Sequence, residues 1–174
     1  MSRLTNATAL RTLDKFFEAN PDINLMMMAF TYSRDGDRWH GSNRSTPRPL
    51  DVHDCGTAAC AVGWAPTAGL TKHLNSHYDW ERYSYMTFFH KAARGSEWPW
   101  LYLKETPLEI WGFLFSGNWD GSVDLLRERL QFVIKHDSVP DGWNYRSSPT
   151  TYASDGVRQL MATHGTMQPQ EVSS

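Results

Sequence analysis

Only two of the 174 residues are cysteines, no apolar run approaches membrane-spanning length, and neither sign of charge predominates: 17 Lys and Arg stand against 19 Asp and Glu, a net charge of −2. Each shortage excludes something. Without a global basic field the chain lacks the long-range attraction that drives non-specific nucleic-acid binding, so nucleic acid is not an expected partner and only a local basic patch remains open. A span would need roughly 20 consecutive apolar residues, and the first residues, Met1-Ser2-Arg3-Leu4-Thr5-Asn6, lack the apolar core of a signal peptide. The expectation is a soluble, cytoplasmic protein with no membrane partner. Cys55 and Cys60 lie five positions apart; on a helix they would point away from each other, which makes a poor disulfide and leaves free thiols or metal ligands. No phosphate-binding loop, dinucleotide fingerprint or serine-nucleophile elbow is present, and there is no internal repeat or low-complexity block.

Aromatic residues, by contrast, are plentiful at 13%, with 8 Trp, and they concentrate between Trp80 and Trp119. An aromatic core is the first explanation, because large rings bury the most apolar area per residue. The alternative is an exposed patch in which Trp98, Trp100, Trp111 and Trp119 meet a partner protein or stack on a ligand.

Helical periodicity is clearest near the ends of the body. Over residues 6–19 Leu10, Leu13, Phe16 and Phe17 fall on one stripe, Asn6 or Thr5 suits the N-cap, and Asn20-Pro21 stops the helix. Thr106-Pro107-x-Glu109 reads as a capping box with proline at the first helical position, opening a helix that should end at Gly117. Ser122 caps another, in which Val123, Leu126, Leu130 and Val133 line one side while Arg127, Glu128 and Arg129 face water; Lys135 and His136 suit its negative end. Asp79 opens a further candidate carrying Trp80, Tyr83, Met86, Phe89 and His90 on one face until Gly95. Between residues 23 and 40 an apolar stretch, Asp35-Gly36 and Arg38-Trp39-His40 suggest a β-hairpin. Residues 41–50, with two prolines and no periodicity, read as a loop.

The chain is organised around His53-Asp54-Cys55-Gly56-Thr57-Ala58-Ala59-Cys60-Ala61-Val62-Gly63-Trp64-Ala65. Alanine favours helix and Asp54 or Thr57 can cap one, so the stretch reads as a short buried helix beginning near Gly56. After Pro66 a second helix starts from Thr67 and carries Leu70, His73, Leu74 and His77. From Asp137 onward prolines and glycines punctuate a Ser/Thr-rich tail with one short helical piece near residues 157–161, and residues from about 166 are expected to be disordered.

The string Cys55-Gly56-Thr57-x-x-Cys60-x-x-Gly63-Trp64-Ala65 resembles a motif of a scattered family of small bacteriophage and bacterial proteins without an assigned function. The likeness continues through Thr106-Pro107-Leu108-Glu109-Ile110-Trp111-Gly112-Phe113-Leu114-Phe115, a following tryptophan and an amphipathic helix, and covers about residues 53–135. It implies a phage-encoded accessory protein in the host cytoplasm and carries no catalytic assignment.

Three constellations could carry chemistry. Cys55-x4-Cys60-x12-His73-x3-His77 fits a two-cysteine, two-histidine zinc pattern, with two imidazoles one helical turn apart. Against it, such cysteines belong at the knuckle of a β-hairpin and Pro66 sits in the linker, so zinc is the alternative to no cofactor. Second, Cys55 at a helix N-terminus has its thiolate favoured, with His53, or one of His40, His73 and His90, as base; a buried structural thiol is the commoner outcome. Third, Gly56 and Thr57 at a helix start could hold a small anion together with Arg44, Arg48 or Lys72, although close packing and capping explain the same residues.

The expected architecture is mainly α (α+β): a compact single-domain helical body over residues 1–136 with a small N-terminal β-hairpin near residues 23–40, then an irregular extension over residues 137–174. The expected function is binding rather than catalysis, with a host protein or small anionic ligand as partner and a contact surface over residues 98–119 and 41–50. A structural zinc module and a cysteine-dependent enzyme are the alternatives.

Overall fold

The computed structural model describes residues 3–25, 31–35, 38–42, 47–50, 57–74, 80–91, 105–115, 122–144 and 154–165. Among them the chain is mainly helical, with α1 Ala7–Ala19, α2 Ala61–Trp64, α3 Trp80–Phe88, α4 Glu105–Phe115, α5 Val123–His136 and α6 Ser154–Thr163. Three short strands, β1 Thr31–Asp35, β2 Arg38–Ser42 and β3 Thr57–Ala59, form one sheet in the order β2-β1-β3.

The frame is the pair α1 and α5. The Asn6 side chain accepts the Ala9 N–H at 3.3 Å and starts α1, and the Ser122 hydroxyl accepts the Leu125 N–H at 3.2 Å and starts α5. Each cap satisfies a backbone donor that the helix leaves without a partner. Leu10, Leu13 and Phe17 of α1 and Leu126, Leu130 and Val133 of α5 are all buried in the same core, and each such side chain contributes about 1.5–3 kcal/mol of transfer free energy. Arg129 departs from its expected place in water: it is only 2% exposed. The reason lies on α4, where the Phe113 carbonyl, one of the last of that helix, accepts from the Arg129 guanidinium at 2.6 Å.

The helix at Trp80 is shorter than its periodicity suggests. It stops at Phe88 because the chain there turns to pair with the N-terminal segment: Asn6 N–H donates to the Phe88 carbonyl at 2.8 Å and His90 N–H to the Leu4 carbonyl at 2.9 Å. Thr5 and Phe89 form an antiparallel bridge between these bonds. Met86, expected on the inner face, is half-buried.

The central stretch corrects the sequence reading. Residues 57–59 are a strand, paired antiparallel with β1 as Thr31↔Ala59, Tyr32↔Ala58 and Ser33↔Thr57, and only one turn of helix, α2, follows Cys60. Ladder bonds on β1, and the Ala59 N–H donated to the Asn24 carbonyl at 3.3 Å, outweigh the modest helix propensity of alanine. The helix expected from Thr67 is also not formed over residues 67–74, which run as turns. Gly69 takes φ +87° there, a left-handed backbone that a helix does not contain.

β1 and β2 are antiparallel neighbours with Arg34 opposite Trp39. Of residues 23–25 Leu25 makes a bridge, parallel to Ala59; residues 26–30 and the Gly36-Asp37 turn of the expected hairpin lie outside the described residues. α4 begins at Glu105, one residue before the expected cap; the capping-box side chain of Thr106 and the expected stop at Gly117 lie outside the described residues, as do Asp79 and Gly95.

The extension after Asp137 is tied to the body. Trp143 meets Phe113 edge to face at 5.4 Å, and Val157 of α6 is fully buried. Residues 145–153, and the tail from residue 166, lie outside the described residues. No helix among the described residues is long and apolar enough to cross a membrane.

Candidate functional site

The described part of the aromatic segment is mostly core. Trp80, Tyr83, Tyr85, Phe88, Phe89, Phe113 and Phe115 are all buried, with Phe88 against Phe115 at 4.9 Å and Trp80 edge to face on Tyr83 at 5.8 Å. Trp111 is different, being half-buried on α4. Its Nε1–H donates to the Ser84 hydroxyl at 3.0 Å, and its ring lies 5.9 Å from Tyr85 and 6.3 Å from Phe115. Those contacts fix one edge of the indole, leaving the rest partly accessible beside Leu108, which is half-buried and one turn earlier. Trp98, Trp100 and Trp119, expected on the same surface, lie outside the described residues.

Cys60 follows β3 at the N-cap position of α2 and is 3% exposed, among the alanines, Val62 and Trp64 of the core. Burial pushes its thiol up to about 11, against weaker opposing hydrogen bonds from the backbone of Gly63, Val62 and Cys60 itself. The thiolate, which is the nucleophile and the metal ligand, is therefore disfavoured at this position. Of its partners in the zinc pattern, His73 is half-buried in the turns after α2, and Cys55 and His77 lie outside the described residues. Among the described residues no group of three or more His, Cys, Asp and Glu is placed to hold a metal ion. Cys55 and His53, the alternative nucleophile and base, also lie outside the described residues, as does the side chain of His40; His90 is exposed after α3.

The anion reading assigned Gly56 and Thr57 to a helix start. Thr57 instead opens β3, where its backbone belongs to the ladder opposite Ser33, so the N–H groups there are not those of a helix N-terminus. Gly56 and Arg44 lie outside the described residues, while Arg48 and Lys72 are exposed. Arg48 belongs to a segment fastened by Thr67, whose hydroxyl accepts the Leu50 N–H at 2.6 Å and donates to the Leu50 carbonyl at 3.0 Å.

One cluster was not singled out by the sequence. His136 at the end of α5, His164 just after α6, Asp141 in the turn between them and Phe132 come together at one end of the body. Nothing periodic links positions 136 and 164; only the long reach of the chain back along α5 joins them. Compared with protein-family models, curated proteins and solved structures, the chain matches none.

Proposed function

We propose that the protein is a non-enzymatic accessory protein, phage-encoded as its motif resemblance implies, that acts in the host cytoplasm by binding a host protein. The body that presents the contact face is a single helical domain with a small N-terminal hairpin. The observation that carries the reading is Trp111: an indole held in one orientation by Ser84, Tyr85 and Phe115 while still partly open. Aromatic anchors of this kind dominate protein interfaces because they bury much area, and a rotamer already fixed loses little entropy on binding. Leu108 extends the same face by one turn. A small anionic ligand, held near Arg48, is the lesser form of the same binding reading.

The test compares the intact protein with Leu108→Glu, which places a charge on the face without removing a core contact. Tagged wild type is expected to retain a defined host protein, and L108E to lose it by tenfold or more with an unchanged melting curve. Wild type retaining no protein, or both forms retaining the same one equally, overturns the reading. A thermal-shift screen with phosphate and nucleotides distinguishes the anionic ligand by a rise in Tm that Arg48→Ala abolishes.

A further inference from the structure

We propose that His136, packed against Phe132 and His164, is a proton-gated clasp for α6: the helix stays docked on α5 while the His136 imidazole is neutral, and loosens when it is charged.

Among the described residues α6 meets the body through an apolar seat, an ion pair and a histidine cluster. Val157 is buried and Met161 packs on the core, while the ion pair from Arg158 to Glu128, at 2.7 Å, joins side chains 43% and 41% exposed, where such pairs contribute little. The histidine cluster lies just beyond the helix. The His136 ring stacks on Phe132 at 4.5 Å, the His164 ring meets Phe132 edge-on at 5.0 Å, and the two imidazoles lie 4.8 Å apart. Asp141 fastens the far side: its N–H donates to His164 Nδ1 at 3.2 Å and its carboxylate accepts the Gly165 N–H at 2.9 Å.

The charges facing this cluster decide how it responds to protons. His164 is already held by Asp141, its Nδ1 accepting the Asp141 N–H and lying 3.3 Å from the carboxylate. A positive charge on His136 would face the His164 ring across 4.8 Å, with Lys135 next to it in sequence. Two features would favour that charge, the negative end of α5 and the face of Phe132. The first is already occupied, because the Arg3 guanidinium donates to the Val133 and Ile134 carbonyls at 3.2 and 2.8 Å. Asp137, next in sequence, turns its carboxylate to the backbone of Leu4 and Thr5 instead, and Glu128 is spent on Arg158. Burial first, then His164 and Lys135, accordingly hold His136 below the ordinary imidazole range. The docked form therefore binds fewer protons than the released one. Docking is favoured above about pH 6.5 and weakens as the pH falls through the ordinary histidine range.

The test is amide hydrogen exchange on the full chain at pH 7.5 and 5.0, corrected for intrinsic rates. Protection over residues 154–165 is expected to fall by about twofold or more at the lower pH, while residues 123–133 keep theirs; in His136→Gln the fall is abolished. Equal protection at both pH values, or the same fall in H136Q, overturns the proposal. Should H136Q not fold, NMR titration of the wild-type His136 imidazole decides. Its midpoint must coincide with movement of the α6 amides, and amides that stay put as it titrates refute the clasp.

Discussion

The Asp137 carboxylate binds Thr5 twice, accepting its backbone N–H at 2.9 Å and its hydroxyl, and so joins residues 132 positions apart. The same carboxylate accepts the Leu4 N–H at 2.6 Å. Asp137 itself ends α5 in the left-handed region, φ 55° and ψ 30°, where its N–H donates to the Val133 carbonyl. Aspartate and asparagine tolerate that backbone better than other side-chain-bearing residues do. Asp137→Ala should therefore cost about 2–4 kcal/mol, from two stranded backbone donors and an unfavourable φ, whereas Asp137→Asn should cost about half as much. Urea unfolding of both variants checks this, and an alanine no worse than asparagine would refute it.

The same relationship shows what could be read in the sequence and what could not. α1 and α5 were legible because their information is local: an Asn or Ser cap, then an apolar stripe, then a stop at Asn20 or after His136. The end of α3 was not, since Phe89 leaves the helix to meet Thr5, a contact across 84 positions with no local mark. Thr57 and Ala58 misled for the same reason: their neighbours in sequence favour helix, but their hydrogen-bond partners on β1 lie far upstream. The candidate site was less legible still. Trp111 could be named from composition, but not its fixation by Ser84, and the meeting of His136 with His164 depends on how α6 returns along α5.

Burial of Cys60 makes stability fall in alkali. A thiol raised in the folded state to about 11 from its ordinary 9.0 contributes fully below pH 9 and loses that contribution as the pH rises toward 11, on the order of 3 kcal/mol in all. Tyr83, raised by burial as well, acts in the same direction at higher pH. The urea midpoint of a Cys55→Ser protein should drop between pH 8 and pH 10, and adding Cys60→Ala should flatten much of that drop. In the same background the remaining thiol should resist a disulfide reagent at pH 7.5 until the protein is unfolded. Rapid labelling of the native protein would contradict the burial.

Arg127 bridges α5 to α1 through two carboxylates of unequal worth. It reaches Asp14 at 3.0 Å and Glu18 at 2.7 Å, but the Asp14 side chain is 15% exposed and that of Glu18 is 63% exposed. Asp14 also accepts from Gln131 at 3.3 Å. The shorter contact should be the weaker one, because solvent screens it. Asp14→Ala is expected to cost about 1–1.5 kcal/mol and Glu18→Ala less than about 0.5 kcal/mol. A double-mutant cycle with Arg127→Ala should give a coupling for Asp14 that persists in 0.5 M salt, and one for Glu18 that vanishes. Equal couplings would show that exposure does not control the pair.

Arg129 is a buried polar side chain that joins α5 to α4. Its guanidinium carbon lies 5.0 Å over the Phe113 ring while Nη1 donates to the Phe113 carbonyl at 2.6 Å. That carbonyl belongs to the last turn of α4, where no amide of the helix remains to bond it, and where a positive charge is favoured by the helix dipole. Two substitutions separate packing from bonding. Arg129→Met keeps most of the volume and removes the donor, and should cost about 1–3 kcal/mol, the penalty for a stranded buried acceptor. Arg129→Ala also leaves a cavity and should cost about 1–2 kcal/mol more. Urea denaturation of the pair reads the two contributions directly: a methionine variant as stable as wild type would mean that the Phe113 carbonyl finds another donor or water, and that Arg129 is held for its bulk.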